Sequence, residues 1–305
     1  MRKTFIDTLT ILARKDKNIF LLTGDLGFSV FEDFAKEFPE RFINCGVMEQ
    51  SMISIAAGLA LEGKKPYVYS IIPFLTMRPF EQIRNDICYQ NANVKIIGIG
   101  AGFAYGALGS THYAIEDIAI LKSLPNITIL SPADSIETKA LTLQLHQKPG
   151  PAYMRLLKPE KNLLPPGTTT VLSQPSVIQE GKDGVIITTG ACLETGIAVV
   201  KKLKLQKLNL KLISMHTLKP IDEKMLVEQL KNQKKIFTLE EHRVSGGLGS
   251  IISQIITKNE LGNISLQSFG VDDSYQPITG HQDYLEAHYH LDSDSVYEKI
   301  VKAII

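Results

Sequence analysis

The sequence predicts an α/β protein with two sheets, the first mainly parallel and flanked by helices, and three observations carry that prediction. Short apolar runs at 19–23, 67–72, 94–99, 127–130 and 152–156 alternate with segments of helical periodicity, as expected when parallel strands are covered on both faces. A second alternation follows, with strands at 184–189, 208–214, 235–239 and 264–269 between helices at 192–205, 222–231 and 247–258. Separating the two is Lys158-Pro-Glu-Lys-Asn-Leu-Leu-Pro-Pro-Gly167, whose consecutive prolines exclude helix and resist a central strand. The expected division is a first domain over 1–160, an extended linker over 161–178 and a smaller α/β domain over 179–305.

Composition agrees with two packed cores: 305 residues are 44% hydrophobic and 21% charged. A net charge of +1 with neither sign gathered into a run argues against a nucleic-acid or membrane surface and points to small molecules or protein as partners. Cys45, Cys88 and Cys192 are odd in number and widely spaced, so neither a disulfide framework nor a zinc site is expected. His281, His288 and His290 lack an acidic or thiol neighbour at ligand spacing. The opening Met-Arg-Lys-Thr-Phe-Ile-Asp-Thr-Leu reads as an amphipathic helix start, because Asp7 and the basic residues at 14, 15 and 17 interrupt any apolar core. A cytoplasmic protein is expected.

The residue with the clearest chemical promise is Glu49. Phe42-Ile-Asn-Cys-Gly-Val-Met-Glu49 delivers a short strand to a glycine and sets the acid in the first turn of an apolar helix. Helix dipoles favour acids there in any protein, so position alone does not make it functional. About thirty residues on, Phe74, Met77 and Phe80 recur at a spacing of three, which predicts one helical face and an apolar, aromatic wall beside the acid. A carboxylate beside such a wall suits a flat heterocycle with a ring nitrogen, as in thiamine diphosphate. His112 follows a loop punctuated by Gly102, Gly106 and Gly109, whose backbone can approach a ligand closely.

These features sit within longer motifs: Gly24-Asp-Leu-Gly27, Gly46-Val-Met-Glu49, Phe74-Leu-Thr-Met-Arg-Pro-Phe-Glu-Gln-Ile83, Gly102-Phe-Ala-Tyr-Gly-Ala-Leu-Gly-Ser-Thr-His112, Ile115-Glu-Asp-Ile-Ala119, Ser131-Pro-Ala-Asp134 and Gly150-Pro-Ala-Tyr-Met-Arg155. In that order they resemble the pyrimidine-binding domain of transketolase. The likeness extends more distantly to 1-deoxyxylulose-5-phosphate synthase and to the β subunits of 2-oxo-acid decarboxylating dehydrogenases. Leu218-Lys-Pro-Ile-Asp222 and Glu240-Glu-His-Arg-Val-Ser-Gly-Gly-Leu-Gly249 resemble the C-terminal domain of the same enzymes.

The resemblance implies roles. Glu49 would bond the pyrimidine nitrogen of thiamine diphosphate and, through it, promote proton removal from the thiazolium carbon. Phe74, Met77 and Phe80 would enclose the pyrimidine, and Asp25 would lie near the thiazolium. His112 would face substrate hydroxyls and steer proton transfer. Arg155 would bind a sugar phosphate with help from Ser29. Two departures bear on the donor: Gly100 stands where transketolases carry a phosphate-binding histidine, and Leu108 where they carry an aspartate that recognises a hydroxyl. Each lost polar contact weakens recognition by on the order of 1 to 3 kcal/mol, which points to an unusual ketose, a modified sugar or a 2-oxo acid.

Thiamine enzymes hold the diphosphate through a divalent cation on a Gly-Asp-Gly motif with a downstream Asn, and Gly24-Asp-Leu-Gly27 does not match it. The chain is therefore expected to be the C-terminal-half, β-type subunit of a split transketolase. A separate α-type subunit would carry the diphosphate and Mg2+ or Ca2+, in an α2β2 assembly with homodimer contacts. The expected reaction is transfer of a two-carbon ketol unit from a ketose, phosphorylated or modified, to an aldose. The alternatives are a decarboxylating acyl transfer and a non-catalytic regulatory subunit.

Overall fold

The computed structural model describes every residue except Phe28, Gln276 and Ile305. Its strands are β1 (Ile19–Thr23), β2 (Phe42–Asn44), β3 (Lys65–Ile71), β4 (Lys95–Ile99), β5 (Thr128–Leu130), β6 (Ala152–Leu156), β7 (Ser176–Gln179), β8 (Val185–Thr188), β9 (Lys211–Ser214), β10 (Thr217–Lys219), β11 (Lys235–Arg243) and β12 (Ser265–Val271). The first sheet runs β10-β5-β6-β4-β3-β1-β2 and is parallel except where β10 pairs antiparallel to β5. The second runs β12-β11-β8-β9-β7, parallel except for the β7 edge. This is the α/β class that the alternating pattern predicts. Uninterrupted apolar strands such as Ile96, Ile97 and Ile99 in β4 are buried on both faces, which is why they read as runs rather than as alternation.

Several elements escape the sequence reading. β10 is only three residues long, and β7 and β10 carry polar residues in place of an apolar run. The helices Gln282–His288 and Ser293–Ile304 close the chain, with Val296 and Ile300 packed into the same core as Val199 and Leu203. A second core, centred on Leu21, Val68, Ile97 and Met154, continues through Ile187, Ile213 and Ile252 of the later half. Apolar packing thus joins the two sheets, and β10 carries the later half directly into the first one.

Parallel strands place their carboxyl ends on a common edge, where α/β sheets bind ligands. β1, β2, β3 and β4 all end there. They lead to Gly24 and Asp25, to the helix Glu49–Leu61, to the helix Ile72–Thr76 and to the loop at 100–113.

Candidate active site

Glu49 opens its helix after β2 and the turn at Gly46, and only 3% of it is exposed. A buried carboxylate needs partners for both oxygens. Ser70, itself buried near the end of β3, donates its hydroxyl to Oε1 at 3.2 Å. Arg78 Nη1 donates to Oε2 at 3.1 Å, and the Arg78 side chain is 48% exposed. A cleft of about 430 Å3 opens over the pair, lined by Val47, Met48, Gln50 and Ser51. Val47, Met48 and Met77 expose large apolar surfaces on this part of the molecule.

Phe74 lies beside this pair. The Arg78 guanidinium carbon is 4.1 Å from the Phe74 ring centre, and the His112 ring meets Phe74 edge-on, 5.0 Å between centres at 75°. The structure therefore brings together Glu49, Phe74, Arg78 and His112 from three different strand ends. Burial first, and the Arg78 charge second, lower the His112 pKa below its ordinary 6.5, so the imidazole is neutral near pH 7 and able to accept a proton. Thr111 Oγ1 lies 3.0 Å from its Nδ1.

Phe80 and Arg155 stand elsewhere, and Ser29 makes a local contact of its own. Phe80 does not share one helical face with Phe74 and Met77, because the helix Ile72–Thr76 stops at Met77 and a new short turn begins at Phe80 after Pro79. Proline lacks the N–H that would continue the helix and restricts the residue before it. Phe80 lines a different cleft with Cys88, Tyr89, Leu124 and Pro125. Arg155, expected at a phosphate, is 2% exposed. Its Nε lies 3.0 Å from Asp117 Oδ2, and Nη2 donates to the Ala114 carbonyl at 2.7 Å. The guanidinium is thereby committed to the interior, since an ion pair this deep is costly to open. Ser29 is exposed with φ 61°, and its N–H donates to Glu32 Oε1.

Asp25 lines a neighbouring cleft with Leu26, Gly27, Phe31 and Asn44. It is exposed with φ 55° and accepts at Oδ1 from Asn44 Nδ2 at 3.0 Å, while a Cβ on the preceding Gly24 would stand 3.7 Å from Glu49 Oε1. Gly100, with φ +91°, is covered by the Tyr105 ring, which any side chain there would strike at 2.3 Å. Tyr105 thus takes the volume of a residue at 100, and its ring carries Lys158 Nζ 5.0 Å away. Leu108 is exposed.

Sequence reasoning missed Ser70 and Arg78, and also the acid that braces the His112 loop. Glu241 Oε2 accepts from the Phe103 N–H at 3.1 Å, and Gln282 Nε2 donates to Oε1 at 2.7 Å. Gly102, with φ +61°, is required at this contact, because a Cβ would lie 1.8 Å from Glu241 Oε2. Phe103 stacks on Tyr289 at 5.1 Å, and Tyr113 OH donates to the Ile278 carbonyl. Glu240, next door, caps the helix Leu248–Lys258 by accepting from the Leu248 and Gly249 N–H groups. Its neighbouring glycines serve that helix start, and burial raises the Glu240 pKa to about 8.

A two-sheet α/β protein with a buried acid, an aromatic ring and a histidine at one sheet edge is the class that fold and site define. The domain family "Transketolase, pyrimidine binding domain" matches residues 1–163, and "Transketolase, C-terminal domain" matches residues 174–296. The chain is 34% identical over 301 residues to an apulose-4-phosphate transketolase subunit of Phocaeicola vulgatus, covering 97% of this chain and 94% of that one. It is 30% identical to the 1-deoxy-D-xylulose-5-phosphate synthase of Halothermothrix orenii over 99% of this chain and 48% of the relative. A solved structure described as a split-gene transketolase in an inactive beta4 tetramer superposes with a TM-score of 0.88 at 34% identity, covering 99% of this chain and 97% of that one. The chain belongs to the transketolase family of thiamine diphosphate-dependent transferases.

Proposed function

We propose that this chain is the pyrimidine-binding subunit of a split transketolase that moves a two-carbon ketol unit from a ketose to an aldose. The observation that carries the reading is Glu49, a buried carboxylate whose Oε2 is held by a half-exposed arginine and which stands near Phe74 and His112. Such a donor set fits the aminopyrimidine half of thiamine diphosphate: an acid for the ring nitrogen and an aromatic side chain beside it. When bound, thiamine diphosphate supplies the nucleophilic carbon that cleaves the donor and carries the two-carbon unit. Glu49 holds and shares the proton at the ring nitrogen, and neutral His112 accepts or returns a proton at a substrate hydroxyl. Exposed Val47, Met48 and Met77 and the open Glu49 cleft suit a partner that closes over the site.

The partner reading is an α-type subunit that holds the diphosphate and Mg2+ or Ca2+, within an α2β2 assembly. It is supported by the Phocaeicola vulgatus relative, named as one subunit of a transketolase and nearly equal in length, and by the split-gene neighbour described as inactive when built of beta chains alone. The donor is taken as a phosphorylated or modified ketose, with Tyr105 beside His112 and Lys158 over the Tyr105 ring shaping its recognition. Co-expression with the α-type subunit and glycolaldehyde transfer measured over a panel of donors tests the reading. No transfer from any ketose by the assembled pair would refute it. A decarboxylating reaction is the second reading, favoured by the match to 1-deoxy-D-xylulose-5-phosphate synthase over 99% of this chain. Carbon dioxide release from pyruvate by the same pair selects it.

A further inference from the structure

Arg78 has no role in the proposed chemistry, yet it makes the contacts that the chemistry needs. Its guanidinium is a flat group with N–H donors. It donates to Glu49 Oε2 at 3.1 Å and lies over the Phe74 ring at 4.1 Å. A protonated aminopyrimidine would present the same face and the same donor to the same two side chains. An oxygen of Glu49 could accept from two donors, but two flat groups cannot lie on one face of the Phe74 ring, so a ring arriving there displaces the guanidinium.

We propose that Arg78 is a displaceable stand-in for the cofactor's pyrimidine ring, satisfying Glu49 until the ring takes its place. This deepens the proposed function and rests on Glu49 being the acid that meets the ring. Three features suit the side chain to leaving. It is half exposed, so the freed guanidinium passes into water at little cost. Its backbone is anchored separately, since Gln50 Nε2 donates to the Arg78 carbonyl at 3.2 Å, which lets the side chain swing while the chain stays put. Ser70 keeps its bond to Oε1, so the carboxylate stays oriented during the exchange. The arrangement also avoids leaving a buried carboxylate with an unpaired oxygen, which is the costlier state.

Competition has a measurable signature: removing the competitor tightens binding. The probes are 4-amino-5-hydroxymethyl-2-methylpyrimidine, titrated calorimetrically into this chain, and thiamine diphosphate, titrated into the co-expressed pair. Arg78→Ala and Arg78→Gln should each bind roughly three- to thirtyfold tighter than the wild type, the range expected for one exposed ion pair plus one exposed cation–π contact. Arg78→Lys, which keeps the charge without the flat fork, should fall between. Unchanged or weaker binding in both neutral variants, with circular dichroism showing the fold intact, overturns the proposal. Glu49→Gln separates the two layers of the argument. If it loses affinity while the Arg78 variants gain none, the stand-in is wrong and the acid's role survives. If Glu49→Gln binds both probes like the wild type, the acid's role and the stand-in fall together.

Discussion

The Glu49 edge and the His112 loop meet at Phe74, but they are built in opposite ways. Glu49 sits at an open rim whose neighbours Val47, Met48 and Met77 are exposed and whose ion-pair partner, Arg78, is half in water. The His112 loop is braced from behind by the later half of the chain, through Glu241 on Phe103, Gln282 on Glu241, Tyr289 against Phe103 and the Gly280 N–H on the Gly106 carbonyl. At the rim, the side-chain contacts of the acid are those to Ser70 and Arg78. In the brace, the residues that aim the loop also bury its polar groups. The Glu49 cleft is lined, among the described residues, by the first half of the molecule. The second half holds the loop that carries His112.

Four substitutions would break or sharpen that contrast. At the rim, Glu49→Ala should lower transfer by the assembled pair by about 10²- to 10⁴-fold while the thermal midpoint and assembly stay near the wild type, read by coupled assay and size-exclusion chromatography. A large loss of stability instead would show that the rim is as structural as the brace. In the interior, Arg155→Ala should cost about 3 to 5 kcal/mol in chemical denaturation, because it strands Asp117 among buried groups. If Arg155 met a phosphate instead, the main effect would be a raised KM for phosphorylated donors with stability kept.

In the brace itself, Gly102→Ala should destabilise by about 1 to 3 kcal/mol, from a positive φ and a collision with Glu241, and should lower kcat with it. A fourth expected effect concerns pH. Burial, and then the hydrogen bond and charge of Glu241, push the Glu286 carboxyl up to about 9 from 4.5. A group whose folded value is raised contributes stability that is complete below its unfolded value and is lost as pH rises through the folded one. Glu286→Gln should therefore flatten a decline of the melting temperature between about pH 4.5 and 9. A profile identical to the wild type would remove Glu286 from the brace.

The parts of this protein legible in its sequence are those fixed by local pattern. The apolar runs at 19–23 and 152–156 are β1 and β6 at the same bounds, and the helical period at 192–205 is the helix Cys192–Leu205. Glu49 opens its helix where the strand, glycine and acid placed it. What local pattern could not carry is pairing between distant segments. β10 is a strand only because β5 offers it an edge. Glu240 lies in a motif known only by resemblance, and the fold alone shows its carboxylate capping a helix. Spacing three aligned Phe74, Met77 and Phe80 on paper, and Pro79 undid it.

By itself, then, the sequence determined the α/β class, the family motifs and the place of Glu49 at the opening of its helix, because each depends on residues near one another in the chain and on backbone preferences that act locally. Tertiary structure alone decided that Arg155 is spent on Asp117, that Arg78 turns back onto Glu49 and that Glu241 reaches 138 residues to hold Phe103. Charged side chains carry no signature of their partners. Which carboxylate an arginine meets depends on where the packed sheets bring it, and on how little water is left there to compete.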